Sequence, residues 1–191
     1  MKSTAVLIYD KFCYFEISVA LEILSLSGKQ VTVFAKNNNP VKSEDGLTII
    51  PDKCISELNI NEYDSLLLPG AEDIRSAVED EEIIEFIKKF KNKSLIGAIS
   101  IAPVLLLKSG ALKCKPFMCG ADIDDLLEEG FTSDDLCEMT GWSDNLRRPI
   151  EDGYIISGNI LTSVSYNFVK FGLQFGKMLG IEISPETFGL K

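Results

Sequence analysis

Ser100 is the residue of this chain whose type and setting most invite chemistry. It stands in "LIGAISIAPVLLLKSGAL" (95–112), where an apolar strand-like run passes straight into an apolar helical one. A hydroxyl at such a corner is held exposed above a sheet, near backbone N–H groups that can stabilise an anion. A serine needs an adjacent base before it can attack anything. The chain has no histidine, which removes the commonest base, proton shuttle and metal ligand together. Serine–histidine and cysteine–histidine catalysis within one chain are therefore excluded. Glu16 can serve as acid or base only if burial raises its pKa toward neutrality. Lys108, about two helical turns past Ser100 and flanked by apolar residues, is a poor serine–lysine partner. The plainer reading is structural: a hydroxyl and a carboxylate that satisfy each other in the interior.

Cysteine supplies the other reactive groups, at positions 13, 54, 114, 119 and 137. The number is odd and the spacing makes no disulfide framework, so free thiols in a reducing cytoplasm are expected. Cys114 and Cys119 have no second pair or histidine to complete a zinc set, and no metal or cofactor is expected. Cys13 and Cys119 are candidates to border a pocket, although a buried cysteine ordinarily acts as a small hydrophobe. Trp142, the single tryptophan, could wall the pocket or pack in the core.

The elements that must position these groups follow from apolar patterning. "TAVLIY", "QVTVFA", "YDSLLLPG" and "SLIGAIS" read as buried strands, and helical stretches alternate with them. "YFEISVALEILSLSG" places Phe15, Val19, Ile23 and Leu26 on one helical face, with Gly28 as C-cap. "EDEEIIEFIKKFKN" has acids first and lysines last, as a helix dipole favours. Around "EDGLTII" a short hairpin or an edge strand is expected, Asp45-Gly46 supplying the turn. "RRPIEDGYIISGNILTS" reads as a hairpin turning at Asp152-Gly153, and "SVSYNFVKFGLQFGKMLG" as a closing helix lined by Val164, Phe168, Phe171 and Phe175.

This alternation is the signature of an α/β fold, a doubly wound, mostly parallel sheet in a three-layer, flavodoxin-like sandwich. Ligands in such sheets bind beyond the strand carboxyl ends at the switch point. Ser100, Gly70 and the residues after Tyr9 should converge there. One domain spanning 1–191 is expected, since no linker or repeat interrupts the chain. The N-terminus enters a strand without a signal-peptide pattern, and no apolar run reaches the ~18 residues of a membrane span. A net charge of −10 argues against nucleic acid or an anionic membrane as partner. The run from Ala121 to Glu138 carries eight carboxylates and no base. It reads as a short amphipathic helix and a loop with a solvated face, one that would repel phosphorylated compounds if it lies near the opening.

Four segments, in order, resemble the ThiJ/PfpI superfamily, also called DJ-one/PfpI, whose fold is that of the class I glutamine amidotransferases. The family's elbow, approximately I-A-A-I-C-A-G-P, is matched by Ile96-Gly97-Ala98-Ile99-Ser100-Ile101-Ala102-Pro103. "VLIYDKFCYFEISVALEIL" is similar to its first strand and loop, placing Glu16 where the family's acid approaches the nucleophile. "YDSLLLPGAEDIR" resembles its P-G-G turn, whose amides face the site, with Gly70 and Ala71 at the last two positions. "IEDGYIISGNILTSVSYNFVKFGLQFGKMLG" resembles its closing segment. Several family features are altered. The reactive cysteine is Ser100, the glycine two residues on is Ala102, and the second glycine of the turn is Ala71. The usual histidine falls at Met118 to Gly120, nearest Cys119.

The resemblance implies a cytoplasmic homodimer with a nucleophile elbow. It leaves two functions open. One is a pocket that lost cysteine-dependent catalysis and binds a small neutral or cationic molecule or a partner. The other is a hydrolase, protease/amidase-like, or a hydro-lyase, with Ser100 as nucleophile or donor and Glu16 as acid/base. The Gly70 and Ile101 amides would then form the oxyanion site. Glutamine amidotransfer is disfavoured, because that chemistry needs cysteine and histidine.

Overall fold

A computed structural model describes residues 2–190. Among the described residues eleven strands occur in chain order. They are β1 (Ser3–Leu7), β2 (Val31–Ala35), β3 (Val41–Lys42), β4 (Thr48–Ile49), β5 (Lys53–Cys54), β6 (Tyr63–Leu68), β7 (Leu95–Ile99), β8 (Phe117–Met118), β9 (Met139–Thr140), β10 (Tyr154–Ser157) and β11 (Ile160–Ser163). Seven of them build the central sheet in the order β10-β11-β7-β6-β1-β2-β5. Every neighbouring pair is parallel except β10 with β11. The central strands are apolar because both of their faces are covered: Val6, Leu67 and Ile96 are all buried. The chain is thus α/β with a mostly parallel sheet.

The chain winds from β1 outward through β2, then returns to lay β6 and β7 on the other side of β1. This reversal opens a crevice beyond the carboxyl ends of β1 and β6. Register keeps those ends level, with Val6 paired to Leu67 and Leu68 to Ala98. The first helix (Phe15–Leu26) packs against the closing helix (Phe168–Met178). Two glycines allow the close approach: a Cβ on Gly172 would lie 2.7 Å from the Ala20 backbone nitrogen, and one on Gly176 would lie 2.6 Å from Ile23 Cγ2. Helix Glu81–Lys88 is capped by Asp80, whose carboxylate accepts from the Glu82 and Ile83 amides. Its Phe86 packs at a tilt against Phe34 of β2, ring centroids 5.2 Å apart.

The Asp45-Gly46 hairpin forms, as β3 antiparallel to β4. Three sequence expectations need correction, and one element was not foreseen. The first helix turns inward through Glu16, Ile17, Val19, Ala20, Ile23 and Leu24, while Phe15 and Leu26 are exposed. The second hairpin turns at Gly158-Asn159 rather than Asp152-Gly153, because β10 and β11 are joined across Ser157 and Ile160. The run from Ala121 to Glu138 holds two short helices, Ile123–Glu128 and Ser133–Leu136, separated at Gly130. A two-residue strand, β5, extends the sheet at its edge with no apolar run to announce it. Among the described residues no helix is long and apolar enough to cross a membrane.

Candidate active site

The turn after β7 puts Ser100 at φ +61°, a left-handed conformation that a non-glycine residue seldom takes. Backbone contacts on both sides impose it. The Ser100 N–H donates to the Ser163 carbonyl at 2.9 Å, and the Ser100 carbonyl accepts from the Gly120 N–H at 2.7 Å. Pro103 then opens the helix Pro103–Lys108, where its missing N–H costs nothing. Gly120 is required at its place, since a Cβ there would lie 2.8 Å from the Ser100 carbonyl carbon. The segment carrying the family's usual histidine therefore meets the elbow through Gly120 and not through Cys119.

Glu16 approaches from the first turn of its helix and is 3% exposed. Its Oε2 accepts from the Gly70 N–H at 2.7 Å. A Cβ built on Gly70 would lie 2.5 Å from that oxygen, 2.7 Å from Ser100 Cβ and 2.9 Å from Ser100 Oγ. The carboxylate and the hydroxyl thus flank one point, and only glycine leaves room for both. Burial raises the Glu16 carboxyl to about 7; the Ser100 side chain, the Gly70 amide and the Cys13 thiol pull the other way, and the Glu44 charge adds to the rise. Glu44 went unnoticed in the sequence because only the β3–β4 hairpin brings it here, its N–H donating to the Phe12 carbonyl at 3.0 Å.

A cavity of about 1210 Å³ opens above the elbow, lined by Ser100, Ile101, Ala71 and Gly120 together with charged side chains. Two of its carboxylates are matched by cations, Glu72 with Lys11 at 3.0 Å and Asp73 with Arg75 at 2.5 Å. Asp10, Asp125, Glu128 and Glu129 also line it, without a salt-bridge partner among the described residues. The helix Ile123–Glu128 of the acidic run therefore borders the opening instead of standing apart on a solvated face.

The expected oxyanion pair is altered. The Gly70 amide is committed to Glu16 and cannot also meet a ligand oxygen. The amides of Ala71 and Ile101, both on the cavity wall, have no acceptor among the described residues. Cys13 and Cys119 are buried and do not line the cavity. Burial, then the Glu44 carboxylate, raises the Cys13 thiol, and burial pushes the Cys119 thiol up to about 12, so both stay protonated at neutral pH. Trp142 stacks edge-on against Tyr166 at 5.1 Å and is not part of the wall. Lys108 is exposed, with its ammonium 6.0 Å above the Phe131 ring.

Known proteins share this arrangement of elements. Residues 2–177 match the model of the DJ-1/PfpI family. A glutathione-independent glyoxalase of Caenorhabditis elegans is 27% identical over 149 residues, which are 78% of this chain and 72% of that protein. A deglycase of Pyrococcus abyssi is 27% identical over 105 residues, 54% of this chain and 63% of that one. The crystal structure of a DJ-1 superfamily protein from Agrobacterium tumefaciens superposes with a TM-score of 0.79 at 18% identity, covering 98% of this chain and 94% of that one. That last likeness speaks for the fold. With a family match running from the first strand to the closing helix, this chain belongs to the DJ-1/PfpI family.

Proposed function

We propose that this chain uses the elbow cavity to bind a small carbonyl compound, neutral or cationic, without cysteine-dependent turnover. The observation that carries the reading is Ser100 itself, standing at the strained elbow where the family resemblance places a reactive cysteine. A hydroxyl there ionises far less readily than a thiol, and the two nearby cysteines are buried and protonated. Ser100 Oγ and the amides of Ala71 and Ile101 would donate to a ligand oxygen. The unmatched carboxylates at the mouth favour a neutral or positive ligand over a phosphorylated one. Relatives named as a glyoxalase and a deglycase support a small carbonyl compound as the class to try first. From the resemblance we carry forward a cytoplasmic homodimer, which sedimentation and cell fractionation would check.

One observation favours a second reading. A Glu16 carboxyl near 7 beside Ser100 is half ionised at neutral pH, the state that acid–base exchange requires. Under that reading the chain is a hydrolase or hydro-lyase working through Ser100 and Glu16.

The experiment is calorimetric titration with carbonyl compounds matched in size and carrying positive, zero or negative charge, run beside an assay for their consumption. Binding of the neutral and cationic members, weakened at least tenfold by Ser100→Ala, with no consumption above buffer, supports the first reading. Consumption abolished by Ser100→Ala and Glu16→Gln supports the second. Absence of binding to every member overturns both.

A further inference from the structure

The peptide group joining Pro69 to Gly70 is held at both of its polar ends. Its carbonyl oxygen, on Pro69, accepts from the Tyr9 hydroxyl. Its N–H, on Gly70, donates to Glu16 Oε2 at 2.7 Å. The two bonds share one planar amide and are therefore not independent. A carbonyl that accepts a hydrogen bond draws charge across the C–N bond and makes the attached N–H a stronger donor. Chains of hydrogen bonds reinforce one another in this manner, most of all where the dielectric is low. Tyr9, Pro69, Gly70 and Glu16 are all buried. No other donor reaches the Pro69 carbonyl among the described residues. The next carbonyl, on Gly70, accepts from the Cys13 N–H at 2.8 Å and ties down the loop that leads into the Glu16 helix.

We propose that Tyr9 is a positioning residue for this site: through the single peptide group between Pro69 and Gly70, its hydroxyl aligns and strengthens the amide that holds Glu16 beside Ser100. The inference rests on the proposed function only in treating Glu16 as a working group of the cavity. The polar and titratable groups facing Glu16 are Tyr9 from the end of β1, Cys13 from the preceding turn, Glu44 from the β3–β4 hairpin and Ser100 from the elbow. Tyr9 remains a donor across the useful pH range, because burial and then the Glu16 charge raise its phenol well above the ordinary value. In the sequence it is simply a residue at the end of an apolar run, which is why no motif marks it.

The test is the titration of the Glu16 carboxyl, followed by carbon NMR on protein labelled at glutamate, with Glu16→Gln assigning the resonance. In Tyr9→Phe the midpoint should rise by about half a pH unit, since the Gly70 amide becomes a weaker donor. Glu57, which accepts from the Cys54 amide at 2.9 Å elsewhere in the chain, should not move. Replacing Tyr9 by 3-fluorotyrosine makes the hydroxyl a stronger donor and should lower the Glu16 midpoint. That replacement also decides the matter should Tyr9→Phe fail to fold. A Glu16 midpoint that the modified hydroxyl leaves unchanged overturns the proposal. No ligand is present in the titration, so failure of the carbonyl-binding reading would leave this result standing.

Discussion

Glu16 Oε2 and the Gly70 N–H meet at 2.7 Å although 54 residues separate them in the chain. The contact joins the first helix to the turn after β6 and sets the acid against the elbow. It also uses the amide that would otherwise be free to meet a ligand oxygen, so any anion formed at Ser100 must turn to Ala71 and Ile101.

The space at Gly70 is the first thing to test. A methyl group there would lie 2.5 Å from the Glu16 carboxylate and 2.7 Å from Ser100 Cβ, closer than unbonded atoms tolerate. Gly70→Ala should therefore push the acid and the elbow apart and cost about 1–3 kcal/mol of stability. Urea unfolding measures the loss. A change below about 0.5 kcal/mol would mean that the two side chains are not confined as described.

The Glu16 carboxyl makes a prediction with a definite sign. Its folded value is about 7 against an ordinary 4.5, and burial is the main cause. Between those values the folded chain binds more protons than the unfolded one, so this group's contribution to stability falls as pH rises from about 4.5 to 7 and then levels off. Gln imitates the protonated acid and still accepts from the Gly70 amide. Glu16→Gln should therefore gain about 2–3 kcal/mol in stability relative to the unaltered chain between pH 5 and pH 8. Urea unfolding at the two pH values checks this. A gain that is the same at both would show that the carboxyl titrates normally.

Glu16 also explains where the sequence misleads. The apolar residues of the first helix suggest a stripe through Phe15, Val19, Ile23 and Leu26; Val19 and Ile23 are buried, yet Phe15 and Leu26 are exposed. A carboxylate holds the inward position of the first turn, and the buried face takes in Ile17, Ala20 and Leu24 beside Val19 and Ile23. A pattern of apolar spacing cannot show that a charged residue points into the core. The central strands were legible because their continuous apolar runs have only one stable fate in a parallel sheet. β5 was not, because two residues at a sheet edge carry no period. Asp152-Gly153 and Gly158-Asn159 are both good turn pairs, and only the pairing of β10 with β11 chooses between them. At the site, the elbow, Glu16 and Gly70 could be read from type and order. Tyr9 and Glu44 could not, since backbone geometry and a hairpin deliver them.

The closing helix offers a test far from the cavity. A Cβ on Gly172 would lie 2.7 Å from the Ala20 backbone nitrogen, and backbone cannot swing aside as a side chain can. Gly172→Ala gains helix propensity worth about 1 kcal/mol but must separate the closing helix from the first. The net expectation is destabilisation by about 1–2 kcal/mol, together with a shift of the Glu16 carboxyl, which rides on the displaced helix. Thermal unfolding and glutamate-selective NMR read the two effects. Increased stability would show that the helices are not in close contact.

Ser100→Cys asks whether the elbow retains its capacity to hold a reactive group. The backbone bend is imposed by Ser163 and Gly120, not by the side chain, so a cysteine should adopt the same left-handed conformation. Its thiol would face the cavity beside the Ala71 and Ile101 amides, which favour thiolate over thiol. Glu16 opposes this once ionised, so reactivity should climb with pH as thiolate forms, but less steeply above about pH 7 than below it. Hydrogen peroxide at neutral pH, followed by peptide mass mapping, should then find oxidation at position 100. Cys13 and Cys119 should stay intact, because burial keeps both protonated and out of reach. The exposed Cys114 and Cys137 set the background in the unaltered chain. A cysteine at 100 that oxidises no faster than those two would show that the elbow presents its side chain without activating it.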